Sequence, residues 1–237
     1  MQGFTADLEV PYFASFRRPA STSVVLTYPV PPFTTLVGLM ANALGVHWAD
    51  YEEAIQDLQE RLYLNVRPLV RERPSRELAK LLKLVGEERE ERRPASFPSS
   101  PMFRYFLVRP AYRLFVASDD EGLVEEMYGA LARPARPLYL GRSDDVVVVG
   151  LVWRGAVRQV DSREAWALVP TLQDGGSGGE LLRLPLAFRG GRDLLYSPVL
   201  VLPARFPLQL PEAQPMWQFG AETVHLFSSH DASVRER

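Results

Sequence analysis

The chain has 237 residues, 46% hydrophobic and 24% charged, a composition that excludes a generally disordered protein. A chain of this length forms one large or two small domains around a substantial hydrophobic core. The absence of cysteine excludes disulfides, thiolate metal sites and a cysteine nucleophile, and three histidines offer little for metal binding. The longest uncharged stretch, residues 19–49, contains four prolines and a helix too short to span a bilayer, so we expect a cytoplasmic protein that does not bind membranes.

The net charge of −2 conceals an uneven distribution of charge along the chain. Residues 61–113 carry thirteen basic and six acidic side chains, a local net charge of +7, so the remainder carries −9. All but two of the 27 basic residues are arginine, whose planar guanidinium group pairs with phosphate and stacks on bases. A coding bias accounts for the overall ratio of arginine to lysine, whereas the clustering favours contact with nucleic acid.

The first part of the chain predicts a strand followed by two helices. Residues 4–10 alternate apolar and polar side chains, which is the period of a half-buried strand. A proline-rich loop around Tyr28 follows, and Thr34 or Thr35 is then predicted to cap a helix that ends at Gly45. A second short helix is predicted soon after this glycine.

Two further strands are predicted in the middle of the chain, at residues 62–71 and 102–117. The insertion between them, residues 71–101, is dominated by Arg, Glu, Ser and Pro and should project from the core. A helix opened by residues 118–121 and a strand at residues 146–153 follow. The resulting order of strand, helix, strand, strand, helix, strand is the split βαβ plan of ferredoxin-like domains.

The fold class predicted from this order is α+β. We expect a modified ferredoxin-like (RRM-like) domain over residues 1–154, with the arginine-rich insertion at about residues 71–101. From residue 155 to 237 the sequence consists of short apolar runs separated by Gly and Pro, which predicts a smaller β-rich C-terminal unit with a polar tail.

A candidate phosphate site lies between the first strand and the first helix. It contains the arginine pair Arg17 and Arg18, Tyr28 in the proline-rich loop, and the helix start at Thr34 and Thr35. A helix N-terminus presents unpaired amides and a partial positive charge, which together with the arginines would hold a phosphate, and a tyrosine would stack on a base. The alternative interpretation is structural: the threonines cap the helix, the tyrosine packs in the core and the arginines are solvated.

Two motifs resemble a known family. Phe16-Arg-Arg-Pro19, Leu26-Thr-Tyr-Pro-Val-Pro-Pro-Phe-Thr-Thr-Leu-Val-Gly-Leu-Met40 and Leu44-Gly45 resemble the N-terminal signature of the CRISPR-associated RAMP proteins. The likeness is specifically to the subunit that caps the 5′ handle of the guide RNA in type I Cascade. Pro137-Leu-Tyr-Leu-Gly-Arg-Ser143 is similar to a segment that follows the second helix of the ferredoxin-like domain in that family. The insertion at residues 71–101 corresponds to the arginine-rich thumb of the family.

This resemblance implies an RNA-binding subunit of an antiviral ribonucleoprotein complex, with no catalytic residue, metal or cofactor of its own. It implies that the subunit grips the 5′ handle of CRISPR RNA, that its thumb contacts the neighbouring backbone subunit, that it lies beside the large subunit, and that it meets target DNA through the complex. The residues expected to contact RNA come from the two motifs and the thumb: Arg17, Arg18, Tyr28, Thr34, Thr35, Arg71, Arg73, Arg76, Tyr139, Gly141, Arg142 and Ser143.

An enzyme alternative exists within the same superfamily. One branch, in type I-C systems, uses this subunit as a metal-independent endoribonuclease with a Tyr, Lys and His set that cuts precursor CRISPR RNA. Such chemistry needs a base for the 2′-hydroxyl, an acid for the leaving oxygen and a cation for the phosphorane. Both lysines, Lys80 and Lys83, lie in the insertion, and only His47, His225 and His230 are available as bases. The sequence therefore favours binding over cleavage.

Two other classes of function are less well supported. The paired carboxylates at residues 119–120 and 144–145 lie in a helix cap and after a turn, which does not favour a metal site. A general RRM-like protein would bind single-stranded RNA through Phe103, Tyr105 and Phe106, but these residues do not form the usual aromatic motif and are expected in the core.

Overall fold

The computed structural model describes residues 1–19, 24–71, 73–82, 99–171, 179–190 and 193–231. The central part of the predicted thumb, including Lys83, lies outside the described residues. In the described part of the chain the helices are α1 (Phe33–Leu44), α2 (Tyr51–Arg61) and α3 (Glu121–Ala132), with short 3-10 helices at Trp48–Asp50 and Ser229–Asp231. None of these helices is long and apolar enough to cross a membrane.

The strands fall into an N-terminal and a C-terminal group. The N-terminal strands are β1 (Gln2–Glu9), β2 (Phe13–Ala14), β3 (Val24–Val25), β4 (Tyr63–Val70), β5 (Ser75–Leu82), β6 (Ser99–Val108), β7 (Ala111–Ser118) and β8 (Val148–Ala156). The C-terminal strands are β9 (Arg158–Ala165), β10 (Val169–Pro170), β11 (Gly179–Leu182), β12 (Pro185–Arg189), β13 (Asp193–Tyr196), β14 (Leu200–Pro203), β15 (Leu208–Phe219) and β16 (Glu222–Val224).

The central sheet has the strand order β4-β7-β1-β8, and every neighbouring pair is antiparallel. Together with α1 and α2 after β1 and α3 after β7, this is the ferredoxin-like arrangement, so the predicted fold class is confirmed. Alternate residues of a strand point to opposite faces. In β7, Leu114 and Val116 therefore pack in the main core with the helices, while Phe115 and Ala117 pack against Phe219 of the C-terminal unit and its neighbours.

The start of helix α1 differs from the prediction. Pro32, not Thr34 or Thr35, is the N-cap residue, and no side chain caps the helix. The backbone at Pro32 has ψ 151° and passes directly from the extended proline loop into the helix, so both threonines lie within the first turn. The predicted end is confirmed, because Gly45 adopts the left-handed conformation with φ 74°.

The prediction of one long strand at residues 102–117 is wrong, because the structure divides this segment between two sheets. Strand β6 ends at Val108, Arg109 adopts a positive φ of 47°, and β7 begins after Pro110. Strand β6 pairs with β2, β3 and β5, whereas β7 lies in the central sheet. The apolar pattern continues through this corner, which is why hydrophobic periodicity alone did not reveal it.

The predicted thumb begins as a two-stranded arm. Strands β5 and β6 pair in antiparallel register from Ser75–Phe106 to Leu82–Ser99. The C-terminal part contains the sheets β10-β14-β11, β12-β13 and β16-β15-β9. The predicted domain boundary after residue 154 lies within β8, and the division into two units stays a prediction.

Candidate nucleic-acid interface

The two sequence motifs meet in space through one buried carboxylate. Asp145, two residues beyond the second motif, accepts hydrogen bonds from the backbone N–H of Ser15 at 3.1 Å and of Arg142 at 3.3 Å, both through Oδ2. Its exposure is only 8%. The loop that carries Gly141 and Arg142 is thereby fixed beside the segment that leads to Arg17.

The close approach of these two segments requires a glycine in the loop. Gly141 has a φ of 107°, which side chains rarely tolerate, and a Cβ placed there would lie 3.2 Å from the carbonyl oxygen of Ser15 and 3.3 Å from the ring of Phe16. The loop is closed as a narrow turn by a bridge between Tyr139 and Val146. Tyr139 is 40% exposed on its outer side.

We use the name loop surface for four residues of this loop and the neighbouring segment: Arg17, Tyr139, Arg142 and Ser143. All four residues are exposed. Within the described residues, neither guanidinium group donates a hydrogen bond to a protein acceptor. The loop and the neighbouring segment thus offer two exposed guanidinium groups and an exposed aromatic ring, groups that bind the phosphates and bases of single-stranded RNA in other proteins.

A cleft of about 360 Å³ lies on the other side of the same segment and contains three of the predicted RNA-binding arginines. We call it the arginine cleft. Its lining residues come from the first motif, from the end of β4 and the start of the thumb, from the corner between β6 and β7, and from β11 and β14: Arg18, Thr27, Pro29, Pro68, Val70, Arg71, Arg73, Pro74, Leu107, Pro110, Tyr112, Glu180 and Leu202.

The three arginines of this cleft differ in how firmly they are held. Arg18 donates from Nε to the carbonyl oxygen of Thr27 at 3.1 Å, and its guanidinium carbon lies 5.0 Å from the ring centre of Tyr28. Arg71 donates to the carbonyl oxygen of Pro203 at 2.6 Å. Arg73 is exposed and makes no ion pair or hydrogen bond within the described part of the chain. Arg18 and Arg71 are thus held in place, while Arg73 is available to a ligand.

The remaining predicted residues lie elsewhere. Tyr28 is only 7% exposed and Arg18 covers its ring, so any contact between Tyr28 and RNA would be indirect. Thr34 and Thr35 are partly exposed but do not line the described cleft. Arg76 lies on β5, where its guanidinium group stacks over Phe103 at 4.6 Å. Most of the predicted residues are therefore divided between the loop surface, the cleft and the arm, while Tyr28, Thr34 and Thr35 lie in none of the three.

Two important residues were missed by sequence reasoning. Asp145 was considered only as half of a carboxylate pair, although aspartate is a residue type that commonly closes turns through hydrogen bonds from side chain to backbone. Glu180 follows a glycine-rich stretch, and nothing in its local sequence indicates that it faces Arg18. The other carboxylate pair is divided as well: Asp120 caps α3 by accepting from the N–H of Leu123, and Asp119 accepts from the hydroxyl of Tyr63.

Two of the histidines, His225 and His47, make contacts that serve the fold in the described part of the chain. His225 packs 4.6 Å from the ring of Phe227, and burial lowers the pKa of its imidazole. His47 is exposed and accepts a hydrogen bond from the N–H of Ala49 at the start of a 3-10 helix. The described residues contain no group of three or more metal-binding side chains.

Comparison with known proteins identifies a family. The family model described as "CRISPR-associated protein (Cas_Cas5)" matches residues 5–193. Among solved structures, a CRISPR protein from Archaeoglobus fulgidus has a TM-score of 0.58 at 17% identity, with 96% of this chain and 99% of that chain covered. A chain of a "CRISPR RNA-guided surveillance complex" has a TM-score of 0.50 at 19% identity, with 97% and 95% covered. A search of curated protein sequences found no significant match.

Proposed function

The chain belongs to the Cas5 family of CRISPR-associated proteins, and on that premise we propose that it binds the 5′ handle of CRISPR RNA in a type I surveillance complex of the Cascade kind. One of the structurally similar chains is part of a CRISPR RNA-guided surveillance complex, which supports the assignment to such an assembly. The assignment to the 5′ handle comes from the resemblance of the two sequence motifs.

The observation that carries the proposal is the meeting of the two motifs through Asp145. Residues 130 positions apart are joined by the hydrogen bond between Ser15 and Asp145. This contact fixes the loop of Arg142 beside the segment that leads to Arg17, and both arginines are exposed, while Arg18, next in the chain, lines the arginine cleft with Arg71 and Arg73. An RNA strand that crosses this segment would meet cations on both sides, and phosphate contacts provide most of the affinity of such complexes.

The proposed partners come from the resemblance to the family, and the surface of the arm supports one of them. The arm formed by β5 and β6 presents exposed Leu78 and Phe103 as well as Arg76 and Lys80, a mixed apolar and basic surface typical of a contact with another ribonucleoprotein subunit. We assign this arm to the neighbouring backbone subunit. The large subunit would lie alongside, and target DNA would be met through the complex rather than by the isolated chain.

The proposed role is binding without catalysis. A metal-independent ribonuclease gains a factor of roughly 100 to 10,000 from each well-placed acid or base. In the described structure His225 is half-buried against Phe227, His47 supports a helix start, and Lys80 lies on the arm. These positions favour structural roles for these three side chains, and the assay below decides between binding and cleavage.

The test is capture of the tagged chain from its native cells, followed by sequencing of the RNA that it retains. A common 5′ end on the captured RNAs is expected for a subunit that binds the handle, whereas RNAs with unrelated ends would indicate a general RNA-binding protein. In a second experiment, the purified chain is incubated with precursor CRISPR RNA in the presence of a chelator. Specific cleavage at the handle boundary that disappears in His47→Ala would overturn the non-catalytic assignment and support the endoribonuclease alternative.

A further inference from the structure

The arginine cleft contains a carboxylate that does not fit a simple phosphate groove. Glu180 is the one acidic side chain among the described residues that line the cleft. Its Oε1 lies 3.9 Å from Nη2 of Arg18, which is an ion pair but too long for a hydrogen bond. Within the described residues no N–H or O–H group donates to this carboxylate, so both of its oxygens keep their capacity to accept. A phosphate placed against Glu180 would be repelled.

The lining of the cleft offers apolar surface against which a base can pack. Its apolar surface is formed by four prolines and by side chains of the buried core: Pro29, Pro68, Pro74, Pro110, Leu107 and Tyr112. Tyr112 is 1% exposed and donates its hydroxyl to the carbonyl oxygen of Pro29, so this part of the wall is rigid. The volume of about 360 Å³ is at the lower end of the range for small-molecule sites, which is enough for one nucleotide.

We infer that the arginine cleft holds one unstacked guanine base of the bound RNA, with its N1–H and N2–H donating to the two oxygens of Glu180. This inference rests on the proposed function, because the base must belong to a strand that the protein already binds. Sequence-specific recognition of single-stranded RNA depends on such contacts to the Watson–Crick edge of a splayed-out base.

The chemistry of the bases selects guanine. A carboxylate only accepts hydrogen bonds, so its ideal partner presents two adjacent donors. The Watson–Crick edge of guanine has this pattern, with N1–H next to the N2 amino group. Adenine and cytosine each place an acceptor nitrogen beside the amino group, and uracil flanks its single N–H with two carbonyl oxygens. Each of these three bases would therefore direct at least one acceptor at Glu180.

The arginines around the cleft support this arrangement. Arg18 is held by Thr27 and Tyr28, and its guanidinium group lies 3.9 Å from Glu180 without occupying the accepting oxygens. Arg73 is exposed at the cleft, where it is available to the phosphate of the same nucleotide. Base and backbone are thus bound by different groups, as in other specific RNA sites.

The test measures binding of the full chain to uridine decamers that carry a single central guanosine, inosine, adenosine or cytidine, by fluorescence anisotropy at fixed salt. A decamer can shift its register until the central base enters the cleft. Inosine keeps N1–H but lacks the N2 amino group, so the probe with guanosine should bind about fivefold or more tightly than the probe with inosine. The Glu180→Gln variant should bind the probes with guanosine and inosine almost equally, because its amide presents one acceptor and one donor. Glu126→Gln, on the exposed side of α3, is the matched control and should keep the preference of the wild type.

Equal binding of all four probes by the wild type would overturn the guanine site and leave the proposed RNA-binding function intact. A preference for guanosine that persists in Glu180→Gln would assign it to another part of the surface and also overturn the inference. If no decamer binds even at low salt while a CRISPR-repeat RNA does bind, the guanine site is overturned and the proposed function stands; if neither RNA binds, the proposed function itself is contradicted. The comparison of guanosine with inosine on the wild type needs no variant, so the inference remains testable if Glu180→Gln does not fold.

Discussion

Asp145 shows how a buried carboxylate can determine the position of the loop that we propose to bind RNA. Burial raises the pKa of this side chain, while the backbone N–H groups of Ser15 and Arg142 lower it by stabilising the charged form. The net pKa is raised, so removal from water outweighs the two hydrogen bonds. The carboxylate is kept in this unfavourable environment by its role in joining the two motifs.

Two replacements of Asp145 should therefore distinguish the loss of its hydrogen bonds from the loss of its charge. In Asp145→Ala the buried N–H of Ser15 loses its acceptor, and we expect the free energy of unfolding to fall by about 1–3 kcal/mol. RNA affinity should fall as well, because the loop surface loses its anchor. In Asp145→Asn the amide oxygen can still accept from both N–H groups, so both quantities should change much less. Urea unfolding and anisotropy with a CRISPR-repeat RNA measure the two effects, and equal losses in both variants would contradict the anchoring role.

Arg17 and Arg142 are expected to bind phosphate rather than bases, because both are exposed and their guanidinium groups donate no hydrogen bond to protein in the described part of the chain. The variant with both arginines replaced by alanine should bind RNA more weakly and with a shallower dependence on salt. The slope of log affinity against log salt should decrease by about 0.7 for each phosphate that is no longer neutralised, or about 1.4 for two phosphates. Thermal stability should be nearly unchanged. Arg158→Ala, an exposed arginine on β9, is the control. An unchanged slope in the double variant would place the phosphate-binding residues elsewhere.

At the scale of elements, the arm formed by β5 and β6 is attached to the fold through β6. Strand β5 pairs only with β6 among the described strands, whereas β6 also pairs with β2 and β3. Arg104 on β6 forms an ion pair with Glu77 on β5, so the arm has some internal stability of its own. The outer half of the arm can therefore be removed without breaking the pairing that holds β6 to the N-terminal segment.

A shortened arm tests its proposed role in assembly. Leu78 and Phe103 are directly paired, so joining them by an Asn-Gly turn removes residues 79–102 and closes a two-residue hairpin. We expect the melting temperature to change little and the association with the neighbouring subunit to weaken. Size-exclusion chromatography of the reconstituted complex measures the second effect. Loss of solubility on shortening would mean that the arm belongs to the core, and unimpaired assembly would exclude it as the contact.

At the scale of the whole molecule, a network of charges connects the central sheet to the C-terminal unit. Glu222 on β16 accepts from Arg67 on β4 at 2.6 Å and from Arg113 on β7 at 3.2 Å. Arg113 also donates two hydrogen bonds to Asp7 on β1, and the pKa of Arg113 is raised by Asp7 and then by Glu222. The Arg67 side chain is 7% exposed and lies over the ring of Trp166. Four strands from distant parts of the chain are thus linked by one buried cluster.

Removal of Glu222 should be costly because it leaves two partly or fully buried guanidinium groups without their shared partner. We expect Glu222→Ala to lower the free energy of unfolding by about 3–5 kcal/mol. Glu125→Ala breaks the exposed pair with Arg154 and is the matched control, with a much smaller expected loss because water and salt screen an exposed ion pair. Urea unfolding of both variants measures the difference. Similar small losses in both would show that the buried network does not couple the two parts of the molecule.

The segment that follows β16 should make stability depend on pH. Burial lowers the pKa of His225 from its ordinary value of 6.5, so at mildly acidic pH the unfolded chain binds a proton that the folded chain does not. Stability conferred by the neutral imidazole is complete above pH 6.5 and is lost as the pH falls toward the lowered pKa. Between about pH 7.5 and pH 5, the wild type should therefore lose more stability than His225→Gln. His47→Gln, which alters an exposed histidine, should follow the wild type. Parallel pH curves for the wild type and His225→Gln would contradict the prediction.

The sequence by itself determined the features that depend on local physics. The alternating pattern of residues 4–10 indicated β1, Gly45 indicated the end of α1, and the order of elements indicated the ferredoxin-like sheet. These patterns are reliable because hydrophobic period and backbone freedom act over a few neighbouring residues. One local pattern gave a wrong prediction. The threonines near the start of α1 indicated a side-chain cap, but the helix starts directly after the two prolines that precede Phe33.

The tertiary structure alone decided where the arginines of the candidate interface lie and which carboxylates accompany them. Arg17 and Arg18 are adjacent in sequence, yet one belongs to the loop surface and the other to the cleft, because successive residues of an extended segment face opposite sides. Glu180 reaches Arg18, and Asp145 reaches Ser15, across separations of more than a hundred residues. Such contacts depend on the corner at Arg109 and on the packing of the C-terminal strands against the sheet, neither of which has a signal in the local sequence.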